Sequence, residues 1–532
     1  MPKDEHVQFQ TRSKRSRYAS VGRTFPDLRG GGPPAAGPRQ RAAPAVHPGP
    51  ARPAGRRGSL LGGRAPRHAG GLLEFAGQFR RPATAVGLRG PRLGPCRAGP
   101  AARHRPRPAA AHRRAGHARP GRRVLAEHRA GPAADGRRAP CPPHRRSGPV
   151  TARVLVVGAG IGGLGLAQAL RRADADVVLI EKAAAFQPVG AGLILSVNAL
   201  RVMKGLGLAG EALAAGQALQ AAHLTTADGR PVQTVGYAAY GGAVALHRAA
   251  LQALLARGVQ DRVRFGVTLH ALRQDAEGVD VTFSDGTTGR YDVVVGADGL
   301  HSDVRRRTFG ARPARYAGYT SWRFVVPGPP GLPVREAVEL WGRGCRLGLV
   351  PIGGGQVYGY VTANAQEGQR ELPDGRAARL QARCAGFGGS APAVLEQMQP
   401  DTPVIHTDIH EVRLPSWVQG RVALLGDAAH AMTPNLGQGA AMGLEDAWVL
   451  ARALRSGLDL PAALRQYEAL RQRRVAEVQG ASRLVGRAGQ LESGALRAAR
   501  DAVMRLTPPA AAHRSARQMF AFGLDGGPHP AP

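Results

Sequence analysis

One stretch limits what this chain can fold into more than any other: RVLVVGAGIGGLGLAQALRRADADVVLIEKA, residues 153–183. Val154–Val157 is a continuous apolar run, as a strand buried on both faces requires. Leu164–Arg172 has helical spacing, and Val177–Ile180 reads as a second strand. Between the first strand and the helix stand Gly158, Gly160, Gly162 and Gly163. In this context each has work to do. Gly158 permits the tight turn, Gly160 lets backbone approach a pyrophosphate, and Gly163 lets helix pack on strand. The helix N-terminus then faces the phosphate charge. Glu181 ends the second strand, 23 residues after Gly158, where a carboxylate can hold a ribose hydroxyl. A 2′-phosphate would be repelled there, so the bound nucleotide is not NADP. Lys182, the next residue, is counted with the nucleotide site. The motif by itself leaves NAD and FAD open.

Two later segments narrow the choice. Val293–Val295 is an apolar strand running into Gly296-Ala297-Asp298-Gly299, then Ser302 and Arg305. Val422–Leu425 is another, running into Gly426-Asp427-Ala428-Ala429-His430, then Pro434 and Gly437-Gln438-Gly439. Nucleotide glycines, then ADG-x-x-S-x-x-R, then GDAAH-x-x-x-P-x-x-GQG: this order resembles the single-component flavin aromatic hydroxylases of the p-hydroxybenzoate hydroxylase type. The resemblance covers about 152–490. Inside the family, the length and YAGYTSWR (316–323) look most like the branch of urate hydroxylase, salicylate hydroxylase and zeaxanthin epoxidase.

That resemblance implies FAD as cofactor, NADH or NADPH as co-substrate, and O2 delivered through a flavin C4a-hydroperoxide to a small aromatic or heterocyclic substrate. It implies that Asp427 accepts from the ribityl hydroxyls and that Gly426 shapes the turn before it. Gly437, Gln438 and Gly439 would offer backbone N–H groups to the pyrimidine edge of the flavin, which gains negative charge on reduction. Pro434 would wall the side where oxygen adds. Asp298 would position the nucleotide and the reductant path, and Arg248, opening the helix of His247–Arg257, would reach the flavin side. In the strand-rich middle, Arg346 in GCRLGLVPI and Tyr358 in QVYGYV, twelve residues later, are the expected pocket groups, a cation for an anionic substrate and a phenol to orient it. Arg323 is the other basic candidate. Arg248 can also be read as a solvated helix arginine, Asp427 as a helix cap, and Glu445, Asp446, His301 and His430 as locally paired groups.

The expected fold class is α/β: a Rossmann-like FAD domain carrying an inserted, mostly β substrate domain, C-terminal helices and a disordered N-terminal extension. The expected boundaries are 1–150 for the extension, 151–310 and 411–505 for the two parts of the FAD domain, 311–410 for the substrate domain, and 506–532 for a frayed tail. A helix over Ser196–Leu206 and one long helical stretch from Gly439 to Leu491 complete the reading. Only one glycine fingerprint is present. Gly353–Gly355 opens no helix, which fits the resemblance to the hydroxylase type, where the reductant docks transiently, and disfavours a disulfide reductase.

Charge is unevenly spread. The chain carries 73 Lys+Arg against 37 Asp+Glu, but residues 1–150 hold 32 of the former and 6 of the latter, with 22 prolines and no Ile or Asn. Such a composition buries too little apolar surface to offset ordering entropy. Three readings compete for it: translation from an early start or wrong frame, a basic tail, and a targeting segment. It lacks the interleaved aromatics of a single-strand platform, so nucleic acid is an unlikely partner. The four cysteines, Cys96, Cys141, Cys345 and Cys384, form no CxxC pair, which argues against zinc and against a disulfide framework. No metal, no membrane span and a cytoplasmic monomer or homodimer are expected. Within enzymes the rivals are a flavin oxidase, epoxidase or halogenase on the same scaffold; no WxWxIP-like segment supports the last. Because the extension contributes no core, a chain begun at Pro149 is expected to fold, retain FAD and keep full activity. Loss of soluble protein or of flavin on that truncation would refute this.

Overall fold

The computed structural model describes residues 152–171, 175–187 and 191–524. The extension 1–150, with Cys96 and Cys141, lies outside the described residues.

The apolar runs become the centre of a six-stranded sheet. Its order is Val418–Gln419, Val422–Leu424, Val293–Gly296, Arg153–Val157, Asp176–Glu181, Val263–Phe265, parallel except for the first pairing. Val154, Leu155, Val156 and Val293–Val295 are fully buried, as parallel strands covered on both faces must be. The Ile161–Arg171 helix crosses from first strand to second and packs on the Gly439–Leu454 helix. The three motif-bearing strands are therefore neighbours, and their carboxyl ends open at one edge, where α/β sheets bind ligands.

A seven-stranded sheet forms the second layer. Its order is Ile405–Glu411, Arg315–Pro327, Gln356–Asn364, Cys345–Gly353, Glu336–Trp341, Ala221–Thr226, Pro231–Gly236. Its last two strands come from outside the 311–410 segment. Glu336–Trp341 needed a partner on its free edge, and Ala221–Thr226 pairs with it in parallel. One face of this sheet packs Trp322, Phe324, Leu347, Leu349 and Val361 against the Arg376–Cys384 and Ala391–Leu395 helices. By strand alternation the opposite face carries Tyr319, Ser321, Arg323, Glu339, Arg346, Tyr358, Tyr360 and Thr362.

Two helical expectations need correction. The stretch Gly439–Leu491 is two helices, Gly439–Leu454 and Leu460–Gly489. Gly457 takes φ +80°, Asp459 caps the second helix by accepting from the Ala462 N–H at 2.7 Å, and Pro461 sits in its first turn. The tail after Thr507 is not frayed through its whole length: Pro509–Phe520 is a helix, and Ala516, Phe520 and Phe522 are buried. Arg201 donates to the Phe520 and Phe522 carbonyls (3.0 and 3.2 Å), and the Tyr240 hydroxyl meets His513 Nδ1 at 2.7 Å. This docking was hidden because PAAAHRSARQMF looks polar until its few apolar residues are placed on one stripe. No helix among the described residues is long and apolar enough to cross a membrane.

Candidate functional site

The three motifs meet in space. A side-chain carbon at Gly158, whose φ is +106°, would stand 2.5 Å from the Ala297 carbonyl oxygen, and one at Gly163 would collide with the Gly158 carbonyl. Gly162 lies under the Leu425 side chain, and a side-chain carbon at Gly443 would stand 3.9 Å from the Cα atoms of both Gly162 and Gly426. Gly160, Gly299, Gly437 and Gly439 behave differently: nothing lies within 4 Å of where a side-chain carbon would stand. These open positions line the edge where the strands end, a cradle of bare backbone with helix N-termini behind it, fitting a diphosphate and a flat ring.

Glu181 turns its carboxylate to backbone, accepting from Ala159 N–H at 2.9 Å and Ala183 N–H at 3.0 Å. Each oxygen keeps a second acceptor site, so the acid is fixed in place and still able to receive a hydroxyl. Lys182 beside it is exposed. Asp298 accepts from the Asp303 and Val304 N–H groups (2.7 and 3.2 Å), starting the Asp303–Phe309 helix, while its Oδ1 is buried without a protein partner. Ser302 accepts from the Arg305 N–H, and Arg305 donates to the Ala428 carbonyl at 2.8 Å. That last bond ties the ADG motif to the GDAAH motif.

Asp427 begins the short Asp427–His430 helix. It is open to solvent, yet protein surrounds it on most sides, as at the floor of a cleft. Burial pushes its carboxyl above the ordinary carboxylate range; the charges of His430 and Arg248 oppose that shift. Arg248, exposed at the start of the Arg248–Ala256 helix, thus lies near enough to Asp427 for its charge to act there. Pro434 is exposed, and Gly437 takes φ +62° just before the Gly439–Leu454 helix.

For Gln438 the expected role falls to the backbone N–H alone. Its side chain is buried, donating to Ser196 Oγ at 2.8 Å and accepting from Asn198 Nδ2 at 2.9 Å. Only its backbone is left to face a ligand. Below it lies a charged network: Asn198 donates to Glu445, Arg471 donates to Glu445 (2.6 Å) and Asp446 (2.7 Å), and Arg474 grips both Glu445 oxygens. Asp446 also accepts from the Gly426 N–H and meets His430 Nε2 at 2.5 Å. Glu445, Asp446 and His430 are thus paired locally within this network. His301 is exposed.

Arg346 reaches this loop from the facing sheet. It is 1% exposed and donates from Nε to Thr362 Oγ1 (3.1 Å), from Nη1 to Glu339 Oε1 (3.1 Å) and from Nη2 to Asn435 Oδ1 (2.6 Å). Asn435 in turn donates to the Ser482 carbonyl and shares a bond with the Tyr319 hydroxyl. Tyr358 occupies the same sheet face but not the same cross-strand row; it pairs with Val350, while Arg346 pairs with Thr362. Its ring lies against Gly192, and burial pushes its phenol up to about 12. Arg323 is engaged with Thr407 at 2.6 Å. Glu339, Asn435, Tyr319 and Tyr360 were missed. Gly348 held a clue to one of them: a glycine inside a strand marks a close approach, and here a side chain would collide with the Tyr360 ring.

Residues 151–482 match the FAD binding domain family. The chain belongs to this family. Among its relatives, aurachin C monooxygenase/isomerase of Stigmatella aurantiaca is 40% identical over 360 residues, covering 66% of this chain and 94% of the relative. The 2-heptyl-3-hydroxy-4(1H)-quinolone synthase of Pseudomonas aeruginosa is 37% identical over 374 residues, covering 69% and 97%. Among solved structures, Klebsiella pneumoniae HpxO complexed with FAD and uric acid is 29% identical with TM-score 0.64, covering 71% of this chain and 97% of that one. The protein is accordingly an FAD-binding enzyme of the monooxygenase type, and the α/β fold is the one these proteins share.

Proposed function

We propose that this enzyme uses NADH or NADPH and O2 to hydroxylate a small aromatic or heterocyclic ring, and that the ring is of quinolone type. The observation that carries the reading is the meeting of Asp427, the open Gly437–Gly439 backbone and the Arg346-bearing sheet face around one cleft. The name of the Pseudomonas aeruginosa relative, a quinolone synthase, supports the ring class.

The residues present fit FAD. Gly160 and the start of the Ile161–Arg171 helix would hold the pyrophosphate, Glu181 the adenosine ribose, and Asp427 the ribityl hydroxyls. The N–H groups of Gly437–Gly439 would face the pyrimidine edge. FAD supplies the oxygen activation, which no side chain can provide. The chain supplies orientation and dryness. Pro434 limits access on one side of the cleft, and the apolar packing of Val350, Ile352, Tyr358 and Ala245 restricts water on the sheet side. Arg346 locks the loop of Pro434 and Asn435 to the sheet, so the ring and the cofactor edge keep one spacing.

Arg346→Met is expected to retain FAD and NAD(P)H oxidation but to lose coupling, releasing several-fold more H2O2 per NAD(P)H than the parent enzyme. Unchanged coupling would remove Arg346 from the site and move the choice to Arg323. The function itself is tested by oxygen uptake and product mass with NADH or NADPH across quinolones, phenols and purines. A ring product heavier by one oxygen atom is expected; oxidation of every substrate without oxygen incorporation would favour the oxidase reading.

A further inference from the structure

Arg346 is the most buried cation on the substrate-facing sheet, yet it is not a free one. Its three nitrogens are each committed to a protein acceptor, and one of these, Glu339, carries a full negative charge. The pair brings no net charge to the cleft. Of the two partners Glu339 is the more open, its side chain 22% exposed against 1% for Arg346. Whatever meets this face therefore meets the carboxylate first.

The surroundings of Glu339 sharpen this. Glu339, Gly348 and Tyr360 lie in one row across the sheet, and the Tyr360 ring lies over Gly348, where any side chain would collide with it. Tyr360 and Tyr237 both lie near enough to Glu339 to feel its charge. The result is a carboxylate set in an aromatic wall, next to a guanidinium whose charge it already satisfies. Such a group accepts hydrogen bonds from an N–H or O–H and repels an anion held in low dielectric. That charge preference differs from the anionic substrate expected for Arg346 from the sequence.

We infer that Glu339 is a specificity-determining residue: it selects a heteroaromatic ring that is neutral and offers an N–H or O–H donor, and it rejects the same ring bearing a carboxylate. This rests on the ring-hydroxylating reading above and adds the charge of the substrate to it. A ring N–H beside a carbonyl fits, because one atom donates to Glu339 while the ring stacks on tyrosine.

The test uses FAD-loaded protein and two matched probes, 4(1H)-quinolone-2-carboxamide and 4(1H)-quinolone-2-carboxylate, titrated while the visible flavin spectrum is followed. The wild-type protein is expected to bind the carboxamide at least about tenfold more tightly than the carboxylate, the size of one charged hydrogen bond lost or opposed. Glu339→Gln keeps the shape, removes the charge and leaves Arg346 uncompensated, so it is expected to reverse or abolish that preference with FAD content unchanged. Equal affinities in the wild type would overturn the inference, as would a preference unmoved by Glu339→Gln. The wild-type ratio decides the matter by itself if the variant loads FAD poorly. The hydroxylase reading fails separately: a bound ring consumed without oxygen gained would sink that reading while leaving the binding ratio intact.

Discussion

Replacing Asp427 with alanine is expected to strip the enzyme of most of its FAD, with purified protein at a small fraction of parental flavin occupancy. The carboxylate stands at the floor of the cleft, flanked by protein but open toward it, and among the described residues no donor is hydrogen-bonded to it. Polyol hydroxyls bound at this depth lose water and need acceptors. Leaving one unmet costs about 1–3 kcal/mol, and two bonds to one charged acceptor lie at or above the top of that range. A loss on the order of 3 kcal/mol is more than a hundredfold in affinity. Glu181→Ala should weaken binding less, because Glu181 already spends one lone pair per oxygen on Ala159 and Ala183. The ratio of flavin to protein absorbance after gel filtration reads both. An Asp427→Ala protein that elutes with full flavin would show that the GDAAH motif does not hold the cofactor.

Arg471→Met is expected to cause the largest loss of stability among single substitutions outside the apolar core. Arg471 is 1% exposed and neutralises two carboxylates that are fully buried. Removing one member of a buried set costs about 3–5 kcal/mol, since the remaining charges have no water to return to. The melting temperature should fall by about 4–6 °C. A change below about 1 kcal/mol, the worth of an exposed pair, would show the network to be solvated. The same cluster sets an acid limit. Burial by itself would raise Asp446, but His430 and Arg471 hold it down at about 2. A carboxylate depressed in the folded state contributes stability that is complete above its ordinary pKa of about 4. That contribution disappears as pH falls toward 2. Parental protein should therefore lose stability through this window, and Asp446→Asn should show a shallower loss there.

Much of the site was legible because it is written in local sequence. A tight turn after a buried strand demands glycine whatever surrounds it, so Gly158, Gly160 and Gly163 announce a nucleotide cradle, and Asp427 follows a strand end where acids meet polyols. The facing half was harder to read. Strand alternation and a twelve-residue spacing put Arg346 and Tyr358 on one face, but register decides what a side chain meets, and register is not a local property. Glu339 sits in EAVELW, an unremarkable strand, and only the pairing of Leu340 with Leu347 brings it to Arg346. Gln438 lies within a motif, yet its side chain turns away to Ser196 and Asn198, more than two hundred residues earlier.

The sequence by itself determined the order of strand, glycine turn and helix, the family resemblance, and the cofactor class, because turn geometry and apolar periodicity act over a few residues. Tertiary structure alone decided that Arg346 is neutralised by Glu339, that two carboxylates of the Gly439–Leu454 helix share Arg471, and that residues 509–520 dock as a helix. Charge compensation and burial depend on which surfaces meet, and those meetings join residues from seven to more than three hundred positions apart.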